Sequence, residues 1–282
     1  MRSRLLVCAA ASLALLAGAG IGEAAPAQPD ERADAPVRAM WTWYWQGSDE
    51  LAEWAQTNDF NRVYLYCEGG FSPKVERAIA ALRDRGIAVE ALAGENEWGL
   101  HPGGMLEFVR KANAYQRRAA PAHRLAGIHL DVESFDTKLF RRDPDRVLRR
   151  YRTVLERAQA NSAVKIAWDI PFWFDGERVR GHSYLQGLIR AADRITIMSY
   201  RDSAKGILDV SRRELRLGKR YGTPVTLGAE TSDYKPASIT FFQEGRAALE
   251  QALAKVESTL EGNTAFRGVA VHHYGALRQL GP

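Results

Sequence analysis

Cysteine is scarce in this 282-residue chain, which has only Cys8 and Cys67. That excludes a disulfide-stapled miniprotein and a cysteine-ligated zinc cluster. Charge of one sign is also lacking, because 39 basic residues face 34 acidic ones and the two kinds are interleaved along stretches with helical period. Such a balance argues against a nucleic-acid partner. Several signatures are absent as well: a glycine-rich phosphate loop after the first strand, a G-x-S-x-G elbow, and the metal spacings H-x-H and H-E-x-x-H. These absences weigh against dinucleotide binding, serine hydrolysis and a catalytic zinc, and no cofactor or metal is expected. What the chain has is apolar and aromatic material, 46% hydrophobic residues with 10 Phe, 10 Tyr and 7 Trp, enough for one large core or two small ones.

Residues 1–24 open with Arg2 and Arg4, continue through the apolar run Leu5 to Leu16 and leave through small residues near Ala24 and Ala25. That order predicts a signal peptide and a secreted or periplasmic protein, with no membrane span in the mature chain. Cys8 lies inside the apolar run, so lipid attachment is not expected. Without these residues the chain keeps 37 basic and 33 acidic residues. Cys67, the one remaining cysteine, lies in an apolar strand and is expected to be a buried, inert thiol. Residues 25–37, with Pro26, Pro29 and Pro36, predict a disordered leader. Structure is expected from Arg38 onward as one domain over 38–282.

Beyond residue 38, short apolar strands alternate with longer amphipathic stretches. Strands are predicted at 39–45, 62–66, 88–93, 127–132, 164–170, 194–199, 223–227 and 268–272. Helical period appears at 74–85, 102–116, 143–159, 183–192, 209–221 and 243–260. Eight such units predict an α/β fold of the closed (β/α)8 TIM-barrel type rather than an open doubly wound sheet. A barrel of this kind assembles its site at the C-terminal ends of the strands. Those ends carry Trp43, Glu68, Glu95, Asp131 and Glu133, Asp169, Tyr200 and Asp202, Glu230, and His272.

The sharpest motif is Gly127-Ile-His-Leu-Asp-Val-Glu133. In a strand, His129, Asp131 and Glu133 share one face while Ile128, Leu130 and Val132 face the other. Two neighbouring inward carboxylates repel as anions, which holds a proton on one of them and suits it to general acid work. A salt-bridged or capping pair is the competing reading of the same spacing.

This segment resembles the fourth-strand signature D-G-x-D-x-D-x-E of the family 18, chitinase-like, glycoside hydrolases. Gly127, Asp131 and Glu133 match it, whereas Ala126 and His129 stand where the family has aspartates. The resemblance implies that Glu133 is the general acid and that Asp131 orients a substrate N-acetyl group which attacks the anomeric carbon. Met198-Ser-Tyr200 is similar to the start of the family's M-x-Y-D motif, which implies that Tyr200 braces that group, although Arg201 holds the aspartate position and Asp202 follows it. His272 stands where the family sets a tryptophan beneath the sugar.

Trp43, Trp98 and Trp173 are candidate sugar platforms, since flat aromatic faces stack on pyranose rings. The expected ligand is a carbohydrate and the expected state a monomer. If a second carboxylate is the nucleophile, Asp169 and Glu230 are the candidates. Two other readings compete: a carbohydrate-binding barrel without turnover, and a metal-dependent phosphodiesterase-type barrel using Glu68, Asp131, Glu133, Asp169 and Glu230 with His272 or His273.

Overall fold

A computed structural model describes residues 36–281, so the expected signal peptide and nearly all of the expected leader lie outside the described residues. The elements run β1 (Val37–Thr42), α1 (Ser48–Thr57), β2 (Arg62–Tyr66), α2 (Pro73–Asp84), β3 (Ala88–Ala93), α3 (Gly103–Arg118) and β4 (Gly127–Leu130). Then come α4 (Lys138–Arg142), α5 (Pro144–Ala160), β5 (Ile166–Pro171), a small antiparallel pair of β6 (Arg178–Val179) and β7 (His182–Ser183), and α6 (Tyr184–Ala191). The chain closes with β8 (Arg194–Met198), α7 (Ala204–Tyr221), β9 (Val225–Glu230), α8 (Gly245–Thr259), β10 (Phe266–His272) and α9 (Tyr274–Leu277).

Eight of these strands close into a parallel barrel in the order β1-β10-β9-β8-β5-β4-β3-β2. β1 and β10 seal it through pairs such as Ala39 with Ala270. The predicted (β/α)8 class is the observed one, and the strand phases explain it. Along β4, Ile128 and Leu130, followed by Val132, enter the large core between sheet and helices. Residues of opposite phase, including Ala39, Trp41, Tyr64, Leu92 and Ala270, fill a separate cluster inside the barrel.

Local signals set the helix ends. Ser72 caps α2, accepting from the Val75 amide, with Pro73 in the first turn where its missing N–H costs nothing. Asp143 and Pro144 do the same for α5, and Gly222 ends α7 at φ 71°. Two strand spans are as expected, 62–66 and 88–93, and β1 begins at Val37, inside the expected leader. Not expected were α1, whose weak pattern buries only Leu51, Ala52 and Ala55, and the β6–β7 pair, each strand of which is two residues long. Cys67 is the buried free thiol expected, its ionisation opposed by burial.

Candidate active site

The barrel interior has two levels. The lower one, the floor, is a connected chain of charge. Glu90 of β3 is 2% exposed and accepts from Arg62, from Arg194 Nη1 at 2.8 Å and from His129 Nδ1 at 3.1 Å. His129 of β4, fully buried, meets Asp169 Oδ1 with its other nitrogen at 2.7 Å, and Trp41 Nε1 donates to Asp169 Oδ2 at 3.0 Å. Tyr64 stacks on the imidazole with ring centres 3.6 Å apart. Burial alone would drive Glu90 to take a proton, but Arg194 and Arg62 outweigh it and hold the carboxyl well below the usual carboxylate range. Burial likewise opposes charge on His129, and Asp169 with Glu90 reverses that, raising the imidazole to about 9.

Above this floor lies the mouth. Asp131 follows β4 directly, and its amide still bonds to the Ala93 carbonyl at 3.0 Å. The backbones meet closely here, since a Cβ on Gly94 would fall 1.7 Å from the Asp131 carbonyl oxygen, and only glycine fits. Asp131 Oδ1 is buried with no hydrogen-bond partner among the described residues. Burial, then the charges of Asp169 and Glu133, push its proton affinity well above the ordinary range. Glu133, partly buried, is raised by burial and then by the charge of Asp169.

Tyr200, two residues past β8 and in phase with Thr196 and Met198, lies within range of the charges of Glu230, Asp131, Asp169 and Glu133. Burial, then the Glu230 carboxylate, raises its hydroxyl, which therefore stays neutral and able to donate. Gly228 lets β9 pack closely against β8 and Trp41: a Cβ there would lie 2.8 Å from the Ile197 carbonyl and 3.2 Å from the Trp41 ring. Glu230 is buried, accepting the Thr231 and Ser232 amides with one oxygen and His272 Nδ1 at 2.7 Å with the other. Burial opposes its ionisation, but the His272 bond and those amides bring it below the usual value. Trp43 Nε1 is 3.0 Å from His272 Nε2, and indole can only donate, so that nitrogen accepts and the proton of His272 sits on Nδ1.

Asp131, Glu133, Tyr200, Glu230, His272 and Trp43 are thus brought together, with Asp169 beneath them. Both carboxyl oxygens of Asp169 and of Glu230 accept hydrogen bonds. Tyr66 donates to Glu68 at 3.1 Å, and Glu68 stands next to Glu95, which forms an acidic edge beside Trp43. Burial is the main cause raising the Glu68 carboxyl.

The remaining candidates make contacts of their own. Trp98 is 8% exposed and packs in the outer core against Phe108. Trp173 belongs to a cluster with Phe135, Phe140 and Phe174. The Asp202 amide bonds to the Ser238 carbonyl, while Arg201 lies over the Phe172 ring at 4.2 Å. His273 accepts the Gly275 amide as the cap of α9. Among the described residues no three His, Cys, Asp or Glu side chains converge to hold a metal ion. Glu90, Arg62 and Arg194 are not among the expected site residues, because Glu90 sits within β3 and Arg62 and Arg194 open β2 and β8, away from the C-terminal strand ends; their inward phase was the available signal.

No protein-family model and no curated protein matches this chain. Among solved structures, it is similar to a GH18 chitinase from Pseudoalteromonas aurantia, at 12% identity and a TM-score of 0.56, covering 84% of this chain and 94% of that one. A GH18 chitinase from Cycas revoluta in complex with (GlcNAc)3 gives 12% identity, a TM-score of 0.48 and coverage of 83% and 94%. The L-Ala-D/L-Glu epimerase from Bacillus subtilis gives 12%, 0.49 and coverage of 86% and 55%. At this identity the likeness is one of fold: the chain is a (β/α)8 barrel built like that of a chitinase.

Proposed function

We propose that this protein is an exported glycoside hydrolase that cleaves a glycosidic bond in an N-acetylated oligo- or polysaccharide. The observation that carries the reading is the Asp131–Glu133 pair, two carboxyls of raised proton affinity at the C-terminal end of β4 within reach of Tyr200. The match of Gly127, Asp131 and Glu133 to the chitinase-like signature supports it, as does the barrel's likeness to a chitinase fold.

Glu133 gives its proton to the leaving glycosidic oxygen as the bond to the anomeric carbon breaks. By the resemblance to the chitinase-like hydrolases, the nucleophile is the substrate's own N-acyl oxygen, which closes on the anomeric carbon to an oxazolinium-like ion, while Asp169 and Glu230 stay held in their hydrogen bonds. The Asp131 carboxyl accepts from the acylamino N–H, and the Tyr200 hydroxyl steadies the acyl oxygen. Glu133, now a carboxylate, takes a proton from the water that opens the ion and is restored. Export rests on the pattern of residues 1–24.

A binding barrel without turnover is the second reading, favoured by His129, Arg201 and His272 at signature positions and by the burial of Trp98. Chitin-type, galactosaminoglycan and neutral oligosaccharides are incubated with the protein and with Glu133→Gln. Cleavage of an N-acetylated substrate, lost in the variant while binding persists, is the expected result. Binding by both with cleavage by neither overturns the enzyme reading, and chelator-sensitive cleavage of a phosphodiester replaces it with metal-dependent hydrolysis.

A further inference from the structure

His129 occupies a position that the chitinase-like signature fills with an acid, and it presents two nitrogens to two carboxylates, Glu90 at 3.1 Å and Asp169 at 2.7 Å. Glu90, flanked by two guanidiniums, is a carboxylate that only accepts, so Nδ1 donates to it; a second donation, from Nε2 to an ionised Asp169, makes the ring an imidazolium. Its surroundings agree. Arg62 and Arg194 face Glu90 from β2 and β8, Tyr64 covers the ring face, Trp41 reaches Asp169 from β1, and Asp131 lies two residues further along the same face of the chain. Asp131 and Asp169 are lateral neighbours, one step beyond the register pair Leu130–Trp168. Two neighbouring carboxyls at this depth do not both ionise, and the one with the better partners keeps the charge. Asp169 has His129 and the Trp41 N–H, whereas Asp131 Oδ1 has none.

We propose that His129 is a positioning residue: as a buried imidazolium it fixes Asp169 as the ionised member of the Asp131–Asp169 pair, and so keeps the proton on Asp131 at the sugar-facing level. The partner carboxylate that the signature carries along β4 is here supplied from β5, and the histidine takes the position it vacates. The consequence for turnover rests on the hydrolase reading above; the protonation states do not.

The test therefore reads protonation directly. In the full chain labelled with carbon-13 and nitrogen-15, NMR at pH 7 should find both His129 nitrogens protonated, the Asp169 Cγ in its carboxylate form and the Asp131 Cγ in its acid form. In His129→Gln, which keeps a donor without charge, the two Cγ signals should move toward each other. A neutral His129, a protonated Asp169, or Asp signals unchanged in the variant overturns the proposal. If His129→Gln does not fold, the wild-type spectrum alone decides. Should the wild-type states be as described while no substrate is cut, the hydrolase reading fails and the positioning role stands. If the enzyme is active, His129→Gln should lower kcat at least tenfold with KM within about threefold and should shift the pH profile, whereas a purely structural defect would leave the profile in place.

Discussion

The floor and the mouth of the barrel both bury carboxylates, and the two levels treat them in opposite ways. On the floor, Glu90 meets two guanidiniums and an imidazole, and Asp169 meets that imidazole and an indole N–H. At the mouth, Asp131 keeps a buried oxygen without a partner and Glu133 is raised by burial. Burial is the largest influence on Glu90, Asp131 and Glu133 alike, and always toward the neutral form. What differs is the partner, which decides whether a buried acid is a fixed charge that holds strands together or a proton source. Glu214 of α7, outside the barrel, is a third case. It is fully buried, with neither carboxyl oxygen bonded to another residue among the described residues, and burial pushes it up to about 8.

The same acid-to-amide change should therefore act differently at each level. Glu133→Gln should cost about 10²–10⁴-fold in kcat, the range for loss of a general acid, with the urea midpoint unchanged or slightly higher. Glu90→Gln should instead destabilise the fold by about 3–5 kcal/mol, because it leaves buried cations without their counter-charge. Urea titration of the two variants side by side checks both; a destabilised Glu133→Gln with a neutral Glu90→Gln would erase the distinction.

A next largest effect comes from pH. The folded value of His129, about 9, lies above the unfolded 6.5, so its contribution is complete below about 6.5 and lost as pH rises through 9. That difference corresponds to about 3 kcal/mol. Glu90, lowered on folding, contributes above its ordinary value and is lost as pH falls through its folded value. Stability measured by urea titration should peak in weakly acid solution and decline toward pH 9, and a plateau from pH 6 to 9 would contradict the imidazolium.

Glu214 is the smaller contrast. Its raised value makes it a liability that grows from about pH 4.5 to about 8, so Glu214→Met should stabilise by roughly 1–3 kcal/mol at pH 8 and by much less at pH 4. Equal effects at both pH values would show that packing rather than charge governs the position.

Much of this architecture was legible in the sequence because β-strands write their two faces in alternate residues. The phase that sends Ile128 and Leu130 outward also sends His129 and Asp131 inward, and reading eight such stretches gave the barrel. Other parts were not legible, for reasons of geometry. Trp98 follows a strand, as a sugar platform would, but the short 3-10 turn Asn96–Gly99 folds it back beneath α3, where Gly104 makes room for its indole. Asp169 was legible as an inward acid, whereas its commitment to His129 and Trp41 depends on which strands become neighbours after closure. In the sequence, His129 is only a departure from an aspartate of the signature. In the fold it is the cation that Glu90 and Asp169 surround.

The account turns on Glu133 being the general acid, its carboxyl raised above the ordinary range by burial and by Asp169, and kcat/KM for a soluble N-acetylated oligosaccharide measured against pH tests this most directly. It predicts an alkaline limb that lies above the ordinary glutamate value of about 4.5 and is absent from the residual activity of Glu133→Gln. An alkaline limb at or below that ordinary value, or one that survives in Glu133→Gln, would contradict it.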